Sequence, residues 1–191
     1  MKKLKFITLL SYLLLFANLG YALEGGVEYD GVYIDYKSMD YNEWQTKAEK
    51  YLDLAKKNKE KNEQKKYYAL AAGAYQTLIE INSSNAVIMA TLGHIYGKLN
   101  RPEHAKAFLD RGLNLAITNP IVNYYYGIFY QDERDFRNAL KFYNYAYRYG
   151  MDNDIDLNLR LSTVNSKLGE LNDAKKYKLK AFELKKNSNK K

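Results

Sequence analysis

The stretch LGHIYGKLNRPEHA, residues 92–105, decides the fold, because YGIFYQDERDFRNA, residues 126–139, repeats its pattern 34 positions later. The recurring positions are a glycine, a tyrosine and an alanine, found as Gly93 and Gly127, Tyr96 and Tyr130, and Ala105 and Ala139. The alanine also recurs on either side of these stretches, at Ala71 and Ala174. A fixed period of this length indicates an array built from copies of one supersecondary unit.

Each unit is predicted to be a pair of helices. Leu92 and Tyr96 share one helical face, because a spacing of four residues returns a helix to the same side. Asn100 is expected to cap the second helix, with Pro102 in its first turn, where proline is tolerated. The same start and stop chemistry is expected at Asn119, Pro120, Gly150 and Gly169.

Gly93 and Gly127 fall in the middle of predicted helices, where a glycine costs about 1 kcal/mol relative to alanine. We expect the close approach of two helices to offset this cost. The partner positions, Ala105 and Ala139, also carry small side chains, which is consistent with such an approach.

A 34-residue helix pair with Leu-Gly-xx-Tyr in its first helix and Ala near its middle resembles the tetratricopeptide repeat. The resemblance covers residues 41–186 and implies an all-α fold, a right-handed superhelical stack of antiparallel helix hairpins. The units are predicted at about 41–84, 85–119, 120–153 and 154–186. The repeat-packing residues that it implies are Ala48, Tyr51, Ala71, Gly93, Tyr96, Ala105, Gly127, Tyr130, Ala139, Ala146, Ser162, Ala174 and Ala181.

The first and last units depart from the family pattern. In the first, 23 residues separate Ala48 from Ala71, which predicts an elongated hairpin with its tip at 56–62. That tip is either a solvated charged turn or a docking prong. In the last, Asn165 and Lys178 replace aromatic residues, as expected of a terminal repeat whose outer face meets water.

Residues 1–22 resemble a secretory signal. Three lysines, Lys2, Lys3 and Lys5, precede an apolar run that is short for a membrane span. Small residues at Gly20 and Ala22 predict cleavage after Ala22, although an uncleaved anchor is the alternative. Cleavage removes three lysines and no acid, so the formal charge falls from +8 to +5. We therefore expect a bacterial protein that is periplasmic or secreted, without a membrane span after cleavage.

Two short segments lie outside the repeats. Residues 23–40 carry five acidic residues against Lys37, and we expect an extended or disordered lead, because Gly25, Gly26 and Gly31 disfavour helix. Residues 187–191 are predicted to form a basic tail.

Catalytic chemistry has little support in the sequence. The two histidines, His94 and His104, fall on different predicted helices, and cysteine is absent, which excludes a thiol nucleophile, a disulfide and a zinc–thiolate site. Asp152, Asp154 and Asp156 alternate as calcium ligands do, but helix capping explains them more simply. We expect no enzyme activity, no cofactor and no metal.

The family resemblance implies a partner-binding groove lined by the first helix of each pair. The groove residues that it implies are His94, Lys98, Tyr124, Tyr125, Ile128, Arg160, Thr163 and Lys167. Tyrosines beside cations suit an extended peptide, because tyrosine combines apolar area, a hydroxyl and a low entropy cost. Tyr124 and Tyr125 either contact such a partner or pack between neighbouring first helices; both interpretations stay open.

The expected function is a non-enzymatic interaction or scaffold module of the cell envelope that binds a protein or peptide in this groove. The alternative is binding of a polyanion, such as anionic lipid or envelope polysaccharide, because the chain is basic. Export makes nucleic acid an unsuitable partner. The acidic lead could also fold into the groove near Lys98, Arg160 and Lys167 and compete with the partner.

Overall fold

The computed structural model describes residues 26–29, 32–35 and 40–189. The predicted signal segment, residues 1–22, lies outside the described residues. Within the predicted lead, strand β1 (Gly26–Tyr29) pairs antiparallel with strand β2 (Val32–Asp35), and Val27 lies opposite Ile34. The described part of the lead is therefore extended, with its two strands paired to each other.

From residue 40 onward the described chain consists of helices and the turns between them, which confirms the predicted all-α class. None of these helices combines the length and the apolar character needed to cross a membrane. The helices are α1 (Tyr41–Lys57), α2 (Lys61–Ile81), α3 (Ala86–Lys98), α4 (Pro102–Leu115), α5 (Pro120–Asp132), α6 (Phe136–Ala146), α7 (Ile155–Leu168) and α8 (Leu171–Ser188).

The chain divides into two compact units, one up to Ile81 and the other from Asn82 onward. In the first unit, α1 and α2 form a hairpin joined at residues 58–60, inside the segment predicted for its tip. A capping box opens α1: the Glu43 amide donates to the Asp40 carboxylate, and the Asp40 amide donates to the Glu43 carboxylate. Trp44, Ala48 and Ala55 on α1 are fully buried, because their spacings of four and seven residues keep them on one helical face.

The second unit contains the hairpins α3–α4, α5–α6 and α7–α8. Helix α5 packs on α3 and α4, and α7 packs on α6. One core joins Ala90 and Leu109 to Val122 and Tyr126, and a second joins Tyr143 to Leu157 and Leu161. The first two of these hairpins therefore bury apolar surface against the first helix of the hairpin that follows.

Gly93 confirms the expected close approach of two helices. A methyl group there would lie 2.9 Å from the backbone carbonyl oxygen of Ala105 and 2.8 Å from the Leu109 side chain. At Gly127 the neighbour is a side chain instead of a backbone carbonyl. A methyl group at Gly127 would meet the ring of Tyr143, which supplies the three nearest atoms. Tyr143 stands 34 positions after Leu109, so a ring takes the place of the leucine side chain.

The turns inside the three hairpins of the second unit share one geometry. Asn100 has a φ of 58°, Arg134 a φ of 62° and Gly169 a φ of 85°, and each stands where the first helix of its pair ends. At Asn100, the amides of Asn100 and Arg101 donate to the carbonyl oxygens of Gly97 and Tyr96, the two hydrogen bonds of a Schellman motif. The expectation that Asn100 caps α4 is therefore wrong, because Asn100 ends α3 in the left-handed conformation and Arg101 precedes α4.

The remaining start and stop signals behave as predicted. Asn119 accepts hydrogen bonds from the amides of Ile121 and Val122, and Pro120 is the first residue of α5. Asp154 caps α7 by accepting from the Leu157 amide at 2.7 Å. Gly150 has a φ of 119° and lies within a wider, π-type turn, Tyr147–Met151, that follows α6.

The outer face of the last hairpin differs from the expectation. Asn165 was expected there as a polar replacement facing water, but it is 3% exposed, and its amide donates to the Leu161 carbonyl at 2.8 Å. Apolar side chains are exposed instead, among them Leu179 and Phe182. Asn165 thus serves the helix interior, whereas Lys178, the other predicted replacement, is exposed as expected, beside exposed apolar side chains of α8.

Two glycines of α3 provide a matched test of the close approach. Gly93→Ala should lower the free energy of unfolding by about 1–3 kcal/mol, because the new methyl group forces the backbones apart. Gly97→Ala should raise it by up to about 1 kcal/mol, because its methyl group would lie 4.0 Å from the nearest atom and alanine favours helix. Urea unfolding followed by circular dichroism measures both. Equal effects of the two substitutions would contradict the packing role of Gly93.

Candidate functional site

The groove residues implied by the sequence lie on the first helices of the second unit. His94 and Lys98 belong to α3, Tyr124, Tyr125 and Ile128 to α5, and Arg160, Thr163 and Lys167 to α7. The structure joins most of them into three side-chain groups: an aromatic stack, an ion pair and a tyrosine–aspartate–arginine network. Ile128 belongs instead to the core, Thr163 donates to the Leu159 carbonyl of its own helix, and Lys167 is exposed.

The tyrosine–aspartate–arginine network consists of Tyr124 on α5 and of Asp156 and Arg160 on α7. The Tyr124 hydroxyl donates to the Asp156 carboxylate. The Arg160 Nε donates to Asp156 Oδ2 at 2.6 Å and to the Tyr124 hydroxyl oxygen at 3.2 Å. The guanidinium also lies 5.8 Å from the centre of the Tyr124 ring. This network connects α5 to α7 through side chains of both charges.

Burial raises the pKa of the tyrosines in and beside this network. Burial raises the pKa of Tyr124 above its usual range, and the hydrogen bond to Asp156 acts in the same direction, although the charge of Arg160 opposes them. Burial likewise raises the pKa of Tyr143, whose hydroxyl donates to Gln131 Oε1 at 2.6 Å. The Tyr124 hydroxyl therefore stays protonated, and able to donate to Asp156, to a higher pH than an exposed tyrosine does.

The aromatic stack is formed by His94 of α3 and Tyr125 of α5. Their ring centres are 4.7 Å apart, and their planes differ by 18°. His94 is 9% exposed. Tyr125 is half-buried, and so is Tyr124. Of the two interpretations left open by the sequence, the structure supports packing between neighbouring first helices, with only part of each tyrosine left accessible.

A cavity of about 140 Å³ lies beside this stack, between α3 and α5. Gly93 and Gly97 line it on the α3 side. Tyr125 and Phe129 supply aromatic walls, and Asp132 supplies a carboxylate. The cavity therefore combines an aromatic interior with a polar rim.

An ion pair stands at the edge of this cavity. Lys98 Nζ lies 3.0 Å from Asp132 Oδ2, and both side chains are partly exposed. An exposed pair of this kind contributes about 0–1 kcal/mol to stability. Because Lys98 and Arg160 are each matched by an aspartate, this surface carries less free positive charge than the sequence alone indicated.

Asn123 and Asn158 were missed by the sequence reasoning. They are 1% and 0% exposed. The Asn123 amide donates to the carbonyl oxygens of Ile117 and Asn119, and the Asn158 amide donates to those of Asp152 and Asp154. Each asparagine thus ties the loop before its helix to the first turn. Their spacing of 35 residues, which matches the repeat, was the available signal.

The three alternating aspartates have separate structural roles. Asp154 caps α7, Asp156 belongs to the network with Tyr124, and Asp152 Oδ2 lies 3.5 Å from Lys180 Nζ. Across the residues that the structure describes, no group of three or more histidine, aspartate or glutamate side chains is placed to hold a metal ion.

A double-mutant cycle tests the connection between α5 and α7. Tyr124→Phe and Asp156→Asn should each lower the free energy of unfolding by about 1–2 kcal/mol, because each leaves a polar partner unpaired. Together they should cost less than the sum of the two, because they remove one shared interaction. Tyr124→Phe combined with Asp110→Asn is the control, since Asp110 pairs with Tyr126 instead. Additive effects in both cycles would show that Tyr124 and Asp156 do not act together.

Among the comparisons with known proteins, only the one with solved structures finds matches. No protein-family model matches the chain, and a search of curated proteins finds no relative. Solved structures do match. MamA has 16% sequence identity and a TM-score of 0.56, with 79% of this chain and 90% of its own covered. PilF of Pseudomonas aeruginosa has 19% identity and a TM-score of 0.60, with 75% and 64% covered.

A third similar structure is TTC0263 of Thermus thermophilus, a tetratricopeptide repeat protein. It has 21% identity and a TM-score of 0.56, and the match covers 65% of this chain and 63% of TTC0263. At these identities the likeness concerns the fold alone. Together with the antiparallel hairpins and the glycine–tyrosine–alanine pattern, it shows that this chain has the tetratricopeptide repeat fold.

Proposed function

We propose that this protein is a non-enzymatic interaction module of the bacterial cell envelope. It binds a peptide segment of a partner protein across the first helices α3, α5 and α7. The cavity beside His94 and Tyr125 is the observation that carries this proposal. It receives one side chain of the bound segment, and the exposed parts of the neighbouring helices contact the rest.

The size of the cavity favours a side chain over a free small molecule. A cavity needs only about 10–15 Å³ to hold a water molecule, whereas small-molecule sites have volumes of about 300–1,000 Å³. At about 140 Å³ the cavity lies between these ranges. One side chain anchored in a small pocket, with weaker contacts around it, is a common arrangement at protein interfaces.

The chemistry of the rim indicates the kind of side chain. Asp132 and Glu133 line the cavity together with Asn100. Carboxylates and an amide beside aromatic rings suit a lysine or arginine, whose apolar stem packs on the rings while its charged end meets the acids. Asp132 is already paired with Lys98, so a ligand cation would compete with Lys98 for that carboxylate.

The surrounding packing supports a preorganised surface. The network of Tyr124, Asp156 and Arg160 holds α5 against α7, and the stack of His94 and Tyr125 joins α3 to α5. A surface whose side chains are already fixed loses little conformational entropy when it binds. Stacked hairpins also present extended surfaces of the kind that repeat proteins use for partners.

The polyanion alternative and the competing lead are weakened by the same geometry. The competing lead relied on free positive charge in the groove, and a polyanion bound there would need it too, but Lys98 and Arg160 are paired with Asp132 and Asp156. We therefore favour a peptide partner at this surface.

Site-specific crosslinking tests the cavity. With p-benzoylphenylalanine in place of Glu133, irradiation of intact cells should yield a defined adduct with an envelope protein. The same group in place of Arg137, which is exposed on α6, is the position control. Gly97→Met should abolish the adduct by filling the cavity, whereas Gly97→Ala should preserve it. An adduct of equal yield from position 137, or one unaffected by Gly97→Met, would refute the assignment.

Export is a separate part of the proposal, supported by the lysine-led apolar segment and its small residues. Protein recovered from the envelope should begin at Leu23, because signal peptidase requires the small residues Gly20 and Ala22. Intact-mass spectrometry measures the start of the chain. Ala22→Arg should block cleavage and leave the longer form. Wild-type envelope protein that retains residues 1–22 would support the anchor instead.

A further inference from the structure

The last hairpin carries an open apolar trough on its outer face. It lies between α7 and α8, has a volume of about 550 Å³ and is separate from the cavity beside His94. Leu159, Leu179 and Phe182 line it, with exposed fractions of 47%, 53% and 68%. Exposed apolar side chains that are grouped in this way mark interaction surfaces more often than scattered ones do.

The repeat shows what covers the equivalent face of the first hairpin in this unit. Leu159 and Phe182 stand 69 positions after Ala90 and Leu113. Ala90 is fully buried in a core with Val122 and Tyr126 of α5, and Leu113 packs against the same core. Helix α5 therefore lies on that face.

The second hairpin repeats this arrangement. Tyr124 and Tyr147, which stand 34 positions after Ala90 and Leu113, pack against the core that contains Leu157 of α7. On both hairpins the face that corresponds to the trough is thus covered by a helix. The trough has the shape and composition of a stacking surface for one more helix.

The charge of the trough differs from that of the covered faces. Three exposed lysines line it: Lys175, Lys178 and Lys185. Lys178 and Lys185 stand 69 positions after Leu109 and Ala116. Two positions that are apolar on the covered face of the first hairpin are therefore lysines on the last one. None of the three lysines forms an ion pair within the described part of the chain, and no acid lines the trough.

We propose that this trough docks an amphipathic helix with acidic flanks, supplied by a partner protein, which lies on α7 and α8 as α5 lies on α3 and α4. Its apolar face covers Leu159, Leu179 and Phe182, and its carboxylates pair with the lysines, which sets its orientation.

Other occupants fit less well. A flat membrane surface does not fill a concave trough. The acid-rich segment of this chain, residues 24–40, is extended where the structure describes it, at β1 and β2, and does not supply a helix.

The experiment uses a fluorescent, leucine-faced helical peptide of about four turns with glutamates on its flanks, and the same peptide with lysines in place of the glutamates. Fluorescence anisotropy should show that only the acidic peptide binds the purified protein. Phe182→Ser should weaken binding by about tenfold, because an apolar anchor is lost. Leu171→Ser is the matched control, since Leu171 is also 68% exposed on α8 but does not line the trough.

A second set of variants reverses the charge of the lysines. Lys178→Glu combined with Lys185→Glu should weaken binding by about tenfold or more, whereas Lys186→Glu, outside the trough, should change it less than about twofold. Thermal unfolding of each variant checks that the exposed substitutions leave the fold intact.

Three outcomes would overturn the proposal. The first is a failure of the acidic peptide to bind, or equal losses with Phe182→Ser and Leu171→Ser. The second is wild-type binding to phosphatidylglycerol vesicles that is lost in Phe182→Ser, which would assign the trough to a membrane. The third is an oligomer of the wild-type protein that dissociates in Phe182→Ser, which would assign it to a second copy. Crosslinking at position 133 is independent of all three, so the two surfaces are tested separately.

Discussion

The distance between the two helices of a hairpin is the constraint on which the second unit depends. At Gly93 that distance is set by backbone, because the Ala105 carbonyl and the Leu109 side chain leave no room for even a methyl group. Large side chains outside this contact meet the next hairpin. Val122 and Tyr126 of α5 pack in one core with Ala90 and Leu109, and Leu157 of α7 packs in one core with Tyr143 of α6.

The sequence predicted the fold because the repeat is a property of spacing. Gly93 recurs as Gly127 and Ala105 recurs as Ala139, each 34 residues later. Because the apolar residues between them follow the helical period, this interval predicts a repeated pair of helices. Capping was predictable where a side chain accepts hydrogen bonds from the first turn of the helix that follows it, as Asn119 does. The prediction of a cap was wrong at Asn100. Asparagine suits both the start of a helix and a left-handed residue at its end, and the sequence alone does not distinguish the two.

The site was less predictable than the fold. The family resemblance implied Tyr124, Tyr125 and Arg160 as residues of first helices, where the structure has them, but Tyr124 and Tyr125 meet side chains about one repeat away in sequence, and the resemblance does not say which pairs meet. Ile128 shows the limit clearly: one helical turn separates it from Tyr124, but a small rotation of α5 decides that it is buried. Asp156, which completes the network, is predicted from sequence as a helix-capping residue, with calcium binding as the less simple alternative, because its role in the network depends on a tyrosine from another helix.

The π-type turn at Tyr147–Met151 explains why the interval changes from 34 to 35 residues between the second and third hairpins of this unit. A turn that holds one additional residue absorbs the insertion locally, so that Ser162 and Ala174 return to the positions of Gly127 and Ala139. The packing positions of the hairpins are therefore kept although the number of residues per repeat changes. The additional residue is thus accommodated at the joint between α6 and α7, and the packing positions of the last hairpin keep their register with those of the hairpin before it.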